Sequence, residues 1–122
     1  MTSESGVSSE IRLEASQLGA RLWRNNVGAL LTPSGQFMRF GLANDSAQLN
    51  RVIKSADLIG IRPIVITPEH VGQTIGQFIS REVKNPDWKY TGTDRERAQL
   101  AWAELVNSLG GDACFTTGRG TL

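Results

Sequence analysis

Apolar residues recur at helical spacing in two segments of the chain. The first segment follows Ser9, a candidate N-cap, and its apolar residues are Ile11, Ala15, Leu18 and Leu22. The second follows Thr93, which has Glu96 three residues later in the pattern of a capping box. This second helix is predicted from Asp94 to Leu109, where Gly110 ends it. Its apolar stripe consists of Ala98, Trp102, Leu105, Val106 and Leu109.

Short apolar or alternating runs predict strands between and after these helices. The runs are Leu22–Arg24, Ala29–Thr32, Gln36–Phe40, Asp57–Ile61, Ile64–Thr67, Ile75–Lys84 and Asp112–Thr116. Pro33–Gly35 supplies a turn, and residues 42–55 stay unassigned apart from a short helical turn near Gln48–Ile53. Strands flanked by a helix on either side in the sequence indicate an α/β or α+β fold.

The composition limits the class of protein. At 122 residues and 13.3 kDa, with 39% hydrophobic residues, the chain fits one domain, and its serine-rich residues 1–8 are predicted to be a disordered tail. No apolar run is long enough for a bilayer and no secretory signal is visible, so we expect a cytoplasmic protein without a membrane partner. The single cysteine, Cys114, and the single histidine, His70, exclude an internal disulfide and a zinc site of the usual spacing. Any metal ion is therefore expected to have oxygen ligands.

The distribution of charge along the chain is more informative about binding partners than the net charge of +1. Between Arg12 and Arg62 there are seven basic and only three acidic residues. Such an excess attracts phosphate groups, although it is as common on an ordinary solvated surface.

Three residues suggest a chemistry. Strand alternation places Glu82 and Lys84 on one face, with Val83 on the other. Asp57 begins another apolar strand, and if the two strands are antiparallel neighbours, Asp57 meets Glu82. Two carboxylates then form an oxygen site suited to Mg²⁺ or Mn²⁺, which activates water for phosphodiester hydrolysis. Lys84 is placed to orient or deprotonate that water and to offset negative charge in the transition state.

Each predicted helix also carries a polar residue where a purely amphipathic pattern favours an apolar one. Glu14 borders the stripe of the first helix and Gln99 that of the second, so that both can face the sheet. Arg95 precedes Gln99 by one turn and is a candidate phosphate contact. The E-x-K triplet alone is common by chance, and the alternative is a set of surface charges on unrelated strands.

In their order along the chain, these residues resemble the VRR-NUC (virus-type replication and repair nuclease) domain of the PD-(D/E)xK, or restriction-endonuclease-like, superfamily. The residues that carry the resemblance are Glu14, Leu22–Asn26, Arg39–Gly41, Ser55–Gly60, Phe78–Lys84 and Gln99. The resemblance covers roughly residues 10 to 117 and implies an α/β core with a mixed central sheet flanked by helices. It implies Mg²⁺ or Mn²⁺ dependence, with Asp57, Glu82 and Val83 as metal ligands. It also implies that Lys84 is the catalytic lysine and that Glu14 and Gln99 support the site.

The function expected from this resemblance is that of a metal-dependent DNA endonuclease. Stand-alone relatives of this type are similar to phage proteins that act as homodimers on branched DNA, so we expect a Holliday junction as substrate and a role in DNA repair in the host cytoplasm. Ala56 replaces a common proline, and residues 62–77 are longer than a compact hairpin. The alternative is a non-catalytic DNA-binding module on the same fold. Trp88, Lys89 and Tyr90 either grip DNA or pack on their own protein.

Overall fold

The computed structural model describes residues 3–122, so Met1 and Thr2 lie outside the described part. Within it the chain forms three α-helices and six strands, with a short 3₁₀ turn at Pro68–His70. In chain order they are α1 (Glu4–Gln17), β1 (Arg21–Arg24), β2 (Gly28–Leu31), β3 (Phe37–Phe40), α2 (Ala47–Val52), β4 (Leu58–Ile61), β5 (Ile79–Val83), α3 (Asp94–Ser108) and β6 (Asp112–Thr116). The α/β class is confirmed. No helix of residues 3–122 has the length and apolar character needed to cross a membrane.

The strands pair as three small sheets. β1 lies beside β4, β2 and β3 form an antiparallel pair, and β5 and β6 form a parallel pair. An antiparallel ladder between the Asp57 strand and the Glu82 strand is not among the pairs found in residues 3–122. A restriction-endonuclease-like core with one mixed central sheet stays a prediction.

Contacts divide the chain into two units, each of which is described by itself. The first unit ends at Gly60 and the second runs from Ile61 to Leu122. The expectation of a single domain stays a prediction.

In the first unit, α1 begins six residues earlier than predicted. Ser3 is the N-cap in place of Ser9, and its Oγ accepts a hydrogen bond from the Gly6 N–H at 3.0 Å. Val7 lies four residues before Ile11 and extends the apolar row backwards, which explains the earlier start. The prediction of a disordered tail over residues 1–8 is therefore wrong for residues 4–8, and for residues 1 and 2 it lies outside the described residues. The predicted end near residue 22 is also wrong, because the chain turns after Gln17 and residues 21–24 form β1.

The rest of the first unit is a hairpin followed by a short helix. β2 and β3 pair from Gly28 opposite Phe40 to Leu31 opposite Phe37, around the predicted turn. Asn44 is buried and donates to the carbonyl oxygens of Gly28 and Phe40 at 2.8 and 2.9 Å, which fastens the chain after the hairpin. The helical turn expected near residues 48–53 is confirmed as α2.

The second unit is built around one βαβ crossover, in which α3 connects the parallel strands β5 and β6. The capping box of Thr93 and Glu96 is confirmed, and so is the end of the helix before Gly110, which has a positive φ of 93°. Ala103, Val106 and Ala113 are buried where the helix packs on the strands.

Two strand predictions for this unit are wrong: one strand is shorter than predicted and the other does not form. The run Ile75–Lys84 forms a strand only over β5, because its partner β6 has just five residues to offer. The run Ile64–Thr67 forms no strand, since its residues have no ladder partner and follow Pro63.

Candidate active site

Glu82, Lys84 and Gln99, named here the Gln99 cluster, form the centre of the candidate site in the second unit. The Gln99 amide lies between the two charged side chains: its Nε2 donates to Glu82 Oε1 at 2.8 Å, and its Oε1 accepts from Lys84 Nζ at 2.8 Å. Lys84 Nζ is 3.8 Å from Glu82 Oε1. The strand alternation of Glu82 and Lys84 and the inward orientation of Gln99 are thereby confirmed.

The two charges of the Gln99 cluster differ in their access to solvent. The Lys84 side chain is 16% exposed, whereas that of Glu82 is 43% exposed. Glu82 Oε2 has no hydrogen-bond partner within residues 3–122. The cluster thus combines a held ammonium with a carboxylate oxygen that is available to a ligand.

Aromatic rings also lie near the Lys84 ammonium. Its Nζ lies 5.5 Å from the centroid of a ring of Trp88 and 5.8 Å from that of Phe115. The Trp88 and Phe115 rings are stacked with a tilt of 32° at a centroid distance of 4.8 Å. Of the two alternatives for Trp88, packing on its own protein is therefore what the structure shows, while Tyr90 beside it remains exposed.

Glu96 is the most extensively bonded carboxylate of the second unit. Its Oε1 accepts from the backbone N–H and the hydroxyl of both Thr91 and Thr93, and its Oε2 accepts from the Trp88 indole N–H at 2.8 Å. These donors, the Thr93 backbone N–H foremost, lower the pKa of Glu96 to about 2. Glu96 is therefore ionised throughout the physiological range.

A cavity of about 370 Å³ opens beside the Gln99 cluster. Glu82 and Gln99 line it together with Trp102, whose indole donates to Ser80 Oγ at 2.9 Å, and with the side chain of Arg95. Arg95 is exposed in the first turn of α3, so the predicted phosphate contact lies next to the candidate site.

The opposite face of β5 carries a structural ion pair. Arg81 Nη2 lies 2.9 Å from Asp112 Oδ2, and this hydrogen bond raises the pKa of Arg81. Val83 shares that face and is 74% exposed. Because its side chain has no ligand atom, its only possible metal ligand is the backbone carbonyl oxygen.

Asp57 lies in the first unit, directly before β4. Asn25 holds this segment, because its Nδ2 donates to Ser55 Oγ and to the Ala56 carbonyl oxygen, and its backbone N–H donates to the Asp57 carbonyl oxygen. The Asp57 carboxylate itself is exposed and has no hydrogen bond or ion pair within residues 3–122.

The other acidic residue predicted for the site, Glu14, is exposed on α1. A cavity of about 290 Å³ beside Asp57 is lined by Glu4, Val7 and Ile11 of the same helix, and Glu14 is not among its lining residues. Glu4 was not predicted to lie near Asp57 because it belongs to the segment predicted to be a tail.

Each unit, taken by itself, has an accessible carboxylate of the kind that hard divalent cations bind. Glu82 Oε2 and the Asp57 carboxylate are accessible oxygens, and Mg²⁺ is commonly bound by one or two carboxylates together with water and substrate phosphate. Neither unit holds three or more acidic, histidine or cysteine side chains grouped for a metal within residues 3–122. A Mg²⁺ or Mn²⁺ site that uses Asp57 and Glu82 remains a prediction.

Sequence reasoning missed the aromatic neighbours of Lys84, Trp88 and Phe115. The capping box revealed Glu96 as a cap, but nothing in the sequence indicated that its second oxygen binds Trp88. Contacts between a loop and a helix terminus leave no periodic signal, although an aromatic residue shortly before a capping box would have been a reason to look.

The chain has no match among known protein families, curated proteins or solved structures.

Proposed function

We propose that this protein is a Mg²⁺- or Mn²⁺-dependent endonuclease that hydrolyses phosphodiester bonds in DNA. The observation that supports this best is the Gln99 cluster. One amide holds a carboxylate and an ammonium 3.8 Å apart, and the carboxylate keeps one oxygen accessible. Such a pair is what metal-assisted hydrolysis of a phosphate diester requires of the protein.

The residues have separate roles in this proposal. Glu82 and Asp57 supply the carboxylates for the cation, with the Val83 carbonyl oxygen as a further ligand. When bound, the cation supplies a nucleophilic water and neutralises charge on the phosphate. Lys84 offsets the charge that develops in the transition state and orients the attacking water. Gln99 keeps Glu82 and Lys84 in place because it bonds to both.

The proposed substrate is branched DNA, a Holliday junction in particular. Sequence reading usually needs side chains from a helix or ribbon in the major groove. The basic residues here are instead scattered, with an excess between Arg12 and Arg62, which suits contacts to phosphates. We therefore propose recognition of DNA shape rather than of base sequence, with binding weakened by salt.

The experiment is a competition in one tube between a labelled four-way junction and its constituent duplexes. It is run with Mg²⁺, with Mn²⁺ and with a chelator. We expect metal-dependent cleavage, faster on the junction, that is abolished by Glu82→Gln and kept by Glu104→Gln, which alters an exposed glutamate of α3 outside the site. Binding without cleavage under every condition would identify the non-catalytic DNA-binding module instead. Equal cutting of junction and duplex would refute the selectivity alone.

A homodimer belongs to the same proposal. A two-fold pair is the commonest oligomer and would present two sites to the symmetric arms of a junction. Sedimentation at micromolar concentration should give roughly twice 13.3 kDa. A fully active monomer over that range would refute the dimer.

A further inference from the structure

The carboxylate of Glu96 does more than an ordinary capping box requires. In a capping box the acidic residue reaches back to the backbone N–H of the N-cap. Glu96 does so with Oε1, whereas Oε2 accepts a 2.8 Å hydrogen bond from the Trp88 indole, which lies outside the box. Glu96 is only 6% exposed, so this bond is shielded from water. The start of α3 is thus joined to one particular orientation of Trp88.

That orientation matters for Lys84. The Trp88 ring stacks on Phe115, and Lys84 Nζ lies 5.5 and 5.8 Å from the two ring centroids, within the usual range of a cation–π contact. On its other side the ammonium donates to Gln99 at 2.8 Å. The side chain of Lys84 is therefore held between an aromatic pair and an amide, and the aromatic pair depends on the indole that Glu96 holds.

We propose that Glu96 and Trp88 are positioning residues for Lys84: the buried carboxylate fixes the indole, and the indole with Phe115 fixes the ammonium beside Gln99. This inference deepens the proposed nuclease and rests on it for the catalytic consequence. The placement of Lys84 can be measured without any reaction.

The competing explanation is that Glu96 only caps the helix, and two variants separate the explanations. Glu96→Gln keeps a residue that can complete a capping box, but the amide has one oxygen, and four donors from Thr91 and Thr93 compete for it. Its NH₂ group then faces the Trp88 indole, which loses its acceptor. Thr93→Ala is the matched control, because it removes the cap hydroxyl, and with it one of the four donors to Glu96 Oε1, but keeps the donor and the acceptor of the bond between Trp88 and Glu96.

The readout is the position of Lys84 in solution. The chain has three lysines, Lys54, Lys84 and Lys89, so a sample labelled with ¹³C at the lysine Cε atoms gives three assignable signals. At one fixed pH, the Lys84 signal should be displaced by the ring currents of Trp88 and Phe115. Glu96→Gln should remove most of that displacement and move the Trp88 indole N–H signal, whereas Thr93→Ala should leave both in place. Equal responses to the two variants, or no response to either, would overturn the proposal.

The cleavage assay completes the test. Glu96→Gln should lower kcat by about tenfold or more relative to Thr93→Ala, since misplacing a catalytic group by about 1 Å costs up to about a hundredfold. Mn²⁺ affinity should be the same in both variants. Equal kcat values would refute the positioning role. If the wild-type chain cleaves nothing while the lysine signals respond as expected, the nuclease proposal fails and the positioning of Lys84 stands.

Discussion

Helices α1 and α3 are nearly equal in length, 14 and 15 residues, and each begins with a hydroxyl N-cap, yet they differ in what they bury. No residue of α1 is buried, whereas α3 buries Glu96, Ala103 and Val106. The two helices differ because they pack on different numbers of strands. α3 packs on two parallel strands that it also connects, and α1 packs on the short strand β1. A helix with a capping signal and an apolar stripe therefore acquires a core only where a sheet face is available to it.

The same difference appears in the candidate site residues. In the second unit, Glu82 and Lys84 are fixed by the Gln99 cluster before any ligand arrives. In the first unit, Asp57 has a well-held backbone but a carboxylate without a partner in residues 3–122. The protein itself therefore fixes the candidate side chains of the second unit, whereas nothing in the described residues fixes the Asp57 carboxylate.

The largest expected effect tests whether the two units contribute to one site. If the proposed site holds its cation with both carboxylates, Asp57→Asn and Glu82→Gln should each abolish cleavage and remove measurable Mn²⁺ binding. Calorimetry gives affinity and stoichiometry, with Asp45→Asn and Glu104→Gln as matched controls in the two units. Unchanged Mn²⁺ binding by either site variant would show that its carboxylate is not a ligand.

Lys84→Ala should act on turnover and not on the metal. We expect Mn²⁺ binding to persist and kcat to fall by at least about a hundredfold, the usual scale for loss of an acid–base or charge-stabilising group. Single-turnover cleavage measures the chemical step. Near-normal turnover would remove Lys84 from the proposed mechanism.

Much of the second unit could be predicted from the sequence, because its signals are local. Thr93 with Glu96 marks the start of α3, Gly110 marks its end, and the position of Gln99 beside the apolar stripe indicates the face it occupies. The errors arise because the sequence does not show which strands pair, and not because the strand propensity of a segment was misjudged. Ile64–Thr67 is rich in β-branched residues, but a strand needs a ladder partner, and the sequence does not show which run supplies one.

The site could be predicted only in part, for the same reason. Alternation along one strand brings Glu82 and Lys84 together, and this is confirmed. The pairing of Asp57 with Glu82 depends on long-range contacts that no local pattern encodes, so it stays a prediction. The start of α1 was missed because Ser3 and Ser9 are both acceptable N-caps, and only Val7 favours the earlier one.

Truncating one apolar side chain in each long helix should lower the free energy of unfolding much more in α3 than in α1. Val106→Ala should lower the free energy of unfolding by about 2 kcal/mol, since Val106 is 0% exposed and loses two buried carbon groups and their contacts. Leu13→Ala, at a residue that is 61% exposed, should change it by less than about 0.5 kcal/mol. Urea unfolding of both variants provides the comparison. If Leu13→Ala lowers the free energy of unfolding as much as Val106→Ala does, this face of α1 is buried in solution.

The smallest expected effect is the acid sensitivity of the cap of α3. The pKa of Glu96 is lowered from its ordinary 4.5 to about 2 in the folded chain. Because the folded-state pKa lies below the unfolded one, the carboxylate contributes stability that is fully present above about pH 4.5. This contribution is lost progressively as the pH falls towards 2. Glu96→Gln cannot be protonated in this way, so its free energy of unfolding should fall less steeply than that of the wild type between pH 5 and pH 2, whereas Glu104→Gln should follow the wild type. Parallel curves for the wild type and Glu96→Gln would mean that the hydrogen bonds of Glu96 do not stabilise its charged form in solution.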